Sequence, residues 1–397
     1  MDRRLMPRPL PAHLASAMML WASSRAALPS LSAGLPLSNL SPGLRALGSE
    51  IARAGLDRVA PALDRELSRR AGGFLTGLET YRRHAYRRIE TPAPVIWHEG
   101  TTRLLDYGEQ GSGKPVLVIP SLINRYYILD LLPERSFLAY LRHAGLRPLV
   151  VDWAAPGDAE RGFGLDDYIA GRLDRMLAAI GGGPTAIVGY CMGGLLALAL
   201  ALRGKDAVAG LALLATPWDF HAERPEQARL LGTVIDLAAS SGDTLPLSVI
   251  QGLFLSLDPF LAERKFARFA QLDPASEAAR SFVALEDWLN DGVPLARTVA
   301  QECGGSWYRD NAPAQREWRV AGQPVEPRRF EPPALVVVPS RDRIVPPRSA
   351  AALAAALPNA TVMRPPLGHI GMMTGGAAPD AVWKPIAAWL QSCFAAA

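Results

Sequence analysis

A series of short, unbroken apolar runs limits what this chain can fold into. "VLVIP" (116–120), "PLVVD" (148–152), "AIVGY" (186–190), "GLALLA" (210–215) and "ALVVVP" (334–339) are each flanked by turn residues, and "ATVMRP" (360–365) is a weaker member of the set. A strand covered on both faces reads as a continuous apolar run, whereas a half-exposed strand alternates. Helical stretches such as "GLDDYIAGRLDRMLAAI" and "MGGLLALALALRG" separate the runs. The pattern predicts a doubly wound α/β domain with a mostly parallel sheet. Between Thr216 and Pro332 no convincing strand is seen, while "PEQARLLGTVIDLAASS" and "AARSFVALEDWLNDG" carry helical spacing. A helical insertion at about 217–332, between two strands of one sheet, reads as a cap over the active site.

Residues 1–90 differ from the rest. "LGSEIARAGLDRVAPALDRELSRRAGGFLTGLETYRRHAYRRI" spaces apolar residues helically between charges, and "LSNLSPGL" interrupts the pattern before it. The domain division expected is therefore an N-terminal helical region over 1–90 and a catalytic domain over 91–397. The leading "MDRRLMPRPLPAHLASAMMLWASSRAAL" imitates a secretory signal, but its prolines precede the apolar patch and Arg25 follows it closely. It reads as an amphipathic helix. A net charge of +4 in 397 residues gives no reason to expect nucleic acid as a partner and does not oppose an anionic substrate. Cys191, Cys303 and Cys393 are too few and too scattered for a disulfide framework or a metal site, and their odd number fits a reducing compartment.

"GYCMGG" (189–194) joins the run "AIVGY" to an apolar helix. Strand, tight turn and helix are the context of the G-x-S-x-G elbow, which presents a nucleophile at a helix N-terminus; here Cys191 holds the nucleophile's place. Taken alone, the stretch fits a buried thiol in a glycine-rich turn equally well. Later residues decide between the two. In this architecture the acid and then the histidine follow the nucleophile in the chain. Asp342 lies just past "ALVVVP" and His369 just past "ATVMRP", so both stand at the strand ends that share an edge with Cys191. His221, the other histidine after Cys191, has no acid in that order. The expected triad is Cys191, His369 as base and Asp342 as the group that orients it. The backbone N–H of Met192 is one expected oxyanion donor, and that of Ile123 or Leu122, in the loop after "VLVIP", is the other. Asn124 and Arg125 are candidates to order that loop or bind substrate, and a plain surface role for Arg125 is the alternative.

"GEQGSGK" (108–114) has the spacing of a phosphate loop, but Pro115 stands where Ser or Thr is required and a strand follows instead of a helix. It reads as a hairpin-like turn into "VLVIP".

The chain resembles the polyhydroxyalkanoate synthases of the α/β-hydrolase superfamily. The resemblance rests on "VIPSLINRYYILDL" (118–131), "VVDW" (150–153), "GYCMGG", "DRIVP" (342–346), "GHIGM" (368–372) and, in the cap, "FVALEDWLNDG". It implies an α/β-hydrolase fold, the same Cys191, His369 and Asp342, no metal or cofactor, and a 3-hydroxyacyl-coenzyme A substrate polymerised through a cysteine-linked acyl-enzyme. The implied partners are acyl-coenzyme A and a polyester chain, with a polymer granule surface, a second subunit or a homodimer beyond them, in the cytoplasm or on granules. A cysteine hydrolase of the same fold (thioesterase, esterase or depolymerase) and a non-catalytic granule-binding protein are the alternative functions.

Overall fold

The computed structural model of the protein describes residues 4, 6–33, 41–109 and 112–396. Residues 1–3 and 5 of the leading segment, 37–40 of "LSNLSPGL", and Gln110 and Gly111 of the phosphate-loop-like stretch lie outside the described residues.

The apolar runs form the centre of an eight-stranded sheet. In chain order its strands are β1 (Val95–Glu99), β2 (Thr102–Asp106), β3 (Lys114–Ile119), β4 (Leu146–Asp152), β5 (Thr185–Tyr190), β6 (Val208–Leu214), β7 (Ala334–Val337) and β8 (Ala360–Met363). Their spatial order is β1-β2-β4-β3-β5-β6-β7-β8. From β4 to β8 every pairing is parallel, while β1–β2 and β2–β4 are antiparallel. This is the expected mostly parallel α/β-hydrolase sheet. The residues of β5, β6 and β7 are buried throughout, as the unbroken apolar runs require, and the edge strands β1 and β8 are largely open.

Three sequence expectations need correction. The turn before β3 is not hairpin-like: β4 lies between β2 and β3, so the connection crosses a strand instead of joining neighbours. The stretch 216–332 is helical, but it also carries two-residue ladders, Thr244–Leu245 with Leu295–Ala296 and Arg319–Val320 with Gln323–Pro324. Pairings that short have no room for a hydrophobic period. Leu10–Ser32 forms a helix, but its apolar residues do not segregate to one face: Ala17 and Leu28 are buried, whereas Met18 and Met19 are exposed.

The chain divides into two compact units, residues 1–87 with 251–290 and residues 88–250 with 291–397. The expected cap is thereby shared between them. The first unit has its own core, in which Phe74, Leu78 and Tyr81 of helix Leu56–Arg83 meet Phe266, Phe269 and Val283. Phe269 and Phe282 stack with centroids 4.3 Å apart, and Gly77 is required because a Cβ there would overlap the Phe266 carbonyl. Arg4 closes this unit by donating to Asp287 at 2.6 Å and to the carbonyls of Tyr81 and His84 at 3.0 and 2.8 Å. The second unit contains the sheet.

Candidate active site

β5 ends at Tyr190 and helix Met192–Arg203 begins at once, so a single residue makes the turn. That residue is Cys191, with φ 56° and ψ −128°. A side chain in this region costs on the order of 1–3 kcal/mol, so the surroundings must enforce it. They do so by close approach. A Cβ on Gly193 would overlap the carbonyls of Ile119 and Pro120, and one on Gly194 would overlap the Thr216 side chain. The Cys191 N–H donates to the Leu214 carbonyl at 2.8 Å, and the Cys191 carbonyl accepts from Gly194 at 2.9 Å. Glycine leaves the helix nowhere else to start.

Asp342 and His369 lie beyond β7 and β8 and meet at 2.7 Å, Oδ2 to Nδ1, with their side chains 1% and 7% exposed. The other carboxylate oxygen, Oδ1, accepts from the backbone N–H groups of Ile344 and Val345 at 2.8 and 2.9 Å. The carboxylate is thus fixed from behind and shows one oxygen to the imidazole. The neighbouring Cys191 acts on the same imidazole through its charge. Burial works against a charged imidazole, but the neighbouring Cys191 and the bond to Asp342 outweigh it and push His369 up from 6.5 to about 10. Of the three residues picked from the sequence, Asp342 and His369 are hydrogen-bonded to each other, and Cys191 makes the turn after β5. His221 is apart from it, its Nε2 lying 2.9 Å from the Tyr308 carbonyl.

Two tyrosines at this site carry no sequence signal of their own. Tyr190 donates from its hydroxyl to the His369 carbonyl at 3.2 Å, and its ring lies 5.2 Å from the imidazole. Burial, then the charges of Cys191 and Cys303, hold the Tyr308 phenol above its ordinary range. Tyr308 belongs to an aromatic group in which Phe220 lies 4.8 Å from it and 6.1 Å from Trp307. Tyr190 is legible only as the last strand residue, and Tyr308 sits in a helix far along the chain, so spacing cannot find either.

The expected oxyanion donors belong to two segments, the helix after Cys191 and the loop after β3. Met192 opens the helix after Cys191, where the first backbone N–H groups lack partners within the helix. Ile123 lies in the loop after β3, and its N–H points to Ser121 Oγ at 3.4 Å, a long contact. The Trp153 indole N–H donates to the Pro120 carbonyl at 3.0 Å and so anchors the start of this loop. Asn124 follows beside Gly292. Arg125 lies 3.8 Å from the buried Asp152 carboxylate, which Arg103 also reaches at 2.5 Å. Among the described residues no group of His, Cys, Asp and Glu is placed to hold a metal ion, and no helix is long and apolar enough to cross a membrane.

Residues 114–376 match the family described as alpha/beta hydrolase fold. Curated relatives are more specific. The poly(3-hydroxyalkanoate) polymerase subunit PhaC of Allochromatium vinosum is 30% identical over 285 residues, which cover 70% of this chain and 80% of that protein. The subunit of the same name from Thiocystis violacea is 28% identical, with 76% and 88% covered. That from Haloferax mediterranei is 28% identical, with 76% and 64% covered. The family match takes in two thirds of the chain, and the Allochromatium vinosum subunit is covered to four fifths at 30% identity, so the chain belongs to the alpha/beta hydrolase fold family and, within it, to the PhaC poly(3-hydroxyalkanoate) polymerase family.

Proposed function

We propose that this chain is an acyltransferase of the polyhydroxyalkanoate synthase type that polymerises 3-hydroxyacyl-coenzyme A through an acyl group carried on Cys191. The observation that carries the reading is a cysteine, in place of serine, on a strained elbow in a chain of the PhaC family that also holds a bonded histidine–carboxylate pair.

His369 takes the Cys191 proton, and the sulfur attacks the thioester carbonyl carbon. The tetrahedral oxyanion meets the backbone N–H of Met192 and that of Ile123, whose long contact with Ser121 is weak enough for a full negative charge to displace. The carbon–sulfur bond to coenzyme A breaks, the leaving sulfur takes the proton from the imidazolium, and the acyl group remains on Cys191. His369 then removes the proton of a 3-hydroxyl group, whose oxygen attacks the acyl-enzyme, forms an ester and frees Cys191. Asp342, held by two backbone N–H groups, keeps the imidazole oriented through both halves.

Exchange of one thioester for another is nearly balanced in energy, which suits a thiol to this substrate. Water must be kept from the acyl-enzyme, because hydrolysis would end the chain. The helical stretches of the second unit, within 217–250 and 291–332, supply the cap in this reading, and their aromatic group of Phe220, Trp307 and Tyr308 suits water exclusion. The growing polyester, and with it a granule surface, a second subunit or a second copy of the chain, are the partners the reading carries.

The test is incubation of the purified protein with 3-hydroxybutyryl-coenzyme A, measuring coenzyme A release and product size. Release with polymer is the expected result. Release with free hydroxy acid makes the chain a cysteine hydrolase, and no release makes it non-catalytic.

A further inference from the structure

Within the second unit, the loop after β3 is gripped at Tyr127 by two segments that are remote in sequence. The Tyr127 hydroxyl donates to Asp291 Oδ2 at 2.9 Å. The face of its ring carries the Arg88 guanidinium at 4.2 Å. Two residues on from Asp291, the Val293 N–H donates to the Ile123 carbonyl at 3.1 Å. Gly292 lies between them, and a Cβ there would come within 3.1 Å of that same carbonyl and overlap Leu247. The segment 291–293 therefore fixes the Ile123–Asn124 peptide from one side, as Trp153 fixes Pro120 from the other.

Arg88 and Asp291 are not arbitrary positions. Arg88 is the first residue of the second unit after the N-terminal helices, and Asp291 is the first after the chain returns from 251–290. Two of the places where the chain passes between units thus end on one side chain, in the loop that carries an expected oxyanion donor. Tyr127 is itself buried, and its phenol is held above its ordinary range by burial and then by the Asp291 charge, so it stays a donor to the carboxylate.

We infer that Tyr127 is a positioning residue: through Asp291 and Arg88 it sets the oxyanion loop 120–127 according to how the two crossing segments are held. The inference rests on the reading of this loop as an oxyanion loop in an acyltransferase. The carbonyl held by Val293 lies in the peptide after Ile123, so it restrains the Ile123 N–H through the φ and ψ of that one residue, and a donor displaced by a fraction of an ångström loses much of its value to a developing charge.

The test compares Tyr127→Phe, Asp291→Ala, Asp291→Asn and the double variant Tyr127→Phe/Asp291→Ala. Single-turnover coenzyme A release from 3-hydroxybutyryl-coenzyme A should fall about ten-fold in Tyr127→Phe and Asp291→Ala with KM within about two-fold, because transition-state stabilisation is lost without loss of binding. The double variant should be no slower than either single variant, and Asp291→Asn, which keeps an acceptor, should recover most of the rate. Hydrogen exchange of the 121–127 amides should speed up about ten-fold in the two slow variants, as a loosened loop requires. Unchanged exchange, or multiplying rate losses in the double variant, overturns the inference. If the unaltered protein releases no coenzyme A, the functional reading fails, while the exchange measurement still decides whether Tyr127 and Asp291 hold the loop. If Tyr127→Phe does not fold, the contrast between Asp291→Ala and Asp291→Asn decides it.

Discussion

The elbow at 189–194 and the loop at 120–127 lie at the ends of the adjacent parallel strands β5 and β3 and share one step of the proposed reaction, yet they are held by opposite means. The elbow is fixed by absence. Gly193 and Gly194 touch backbone and a buried threonine with no space left, and Cys191 is forced to positive φ as a result. The loop is fixed by side chains that arrive from elsewhere, the Trp153 indole and the Tyr127–Asp291 pair, together with the backbone of Val293. A turn held by steric exclusion has one conformation or none. A loop held by separable hydrogen bonds can be loosened one contact at a time, each worth about 0.5–1.5 kcal/mol.

Substitutions should expose this difference, and the largest effects belong to the reacting groups. Cys191→Ala and His369→Ala should each reduce coenzyme A release on the order of 10³-fold or more, since in the proposed mechanism neither the nucleophile nor its base has a substitute. Retained release in Cys191→Ala would falsify the acyl-enzyme. Next comes the elbow: Gly193→Val should weaken the fold as well as the enzyme, with a melting temperature lowered by several degrees and activity down about 100-fold. A Gly193→Val protein that melts like the parent removes the steric account. The loop should behave otherwise. Trp153→Phe leaves the Pro120 carbonyl without its donor, and the rate should fall about ten-fold at nearly unchanged KM. An effect equal to that of Gly193→Val would erase the distinction between the two loops.

Smaller effects concern charge. Cys191→Ala removes the first of the influences that raise His369, so its titration, followed by ring proton resonances, should move down from about 10 towards 6.5. The same shift predicts how stability depends on pH. The folded pKa is raised, so the protonated imidazole stabilises the fold in full below 6.5, and that contribution fades as pH rises through about 10. Urea unfolding of the parent and of His369→Gln should differ most near the lower limit and converge above the upper one. The smallest effects belong to the remaining thiols. Burial raises Cys303 well above 9.0 and Cys393 to about 11, so alkylation near neutral pH should label Cys191 alone. Cys303→Ala and Cys393→Ala should keep activity within about two-fold of the parent.

The contrast between the loops also marks how far the sequence could be read. The strands announced themselves because burial on both faces removes every polar position, and β3 to β8 fall on the runs "VLVIP" to "ATVMRP". β1 and β2 gave no such sign, since β1 lies open at the sheet edge. The pairing of Asp342 with His369 was legible because chain order and strand ends dictate it. The contacts of the 120–127 loop were not legible. Val293 and Asp291 reach it from more than 160 positions away, and no local period records a bond of that span. The division of 217–332 between two units was hidden for the same reason: helical spacing shows which face is buried but not against what.

One consequence follows from the way Asp342 is held. Its Oδ1 is engaged by two backbone N–H groups, so the chain dictates which end of any isosteric group must face the turn. In Asp342→Asn the amide oxygen is claimed by Ile344 and Val345, and the NH₂ is left pointing at His369 Nδ1. The imidazole must then accept there and carry its proton on Nε2, the nitrogen that should receive one from Cys191. The turn at 342–345 thus works as a polarity key, and ring nitrogen chemical shifts of His369 in Asp342→Asn should report the reversed tautomer. Asparagine in this place is an acid's shape with the base's direction turned around, and Asp342→Ala, which imposes no direction, should be the less damaging change.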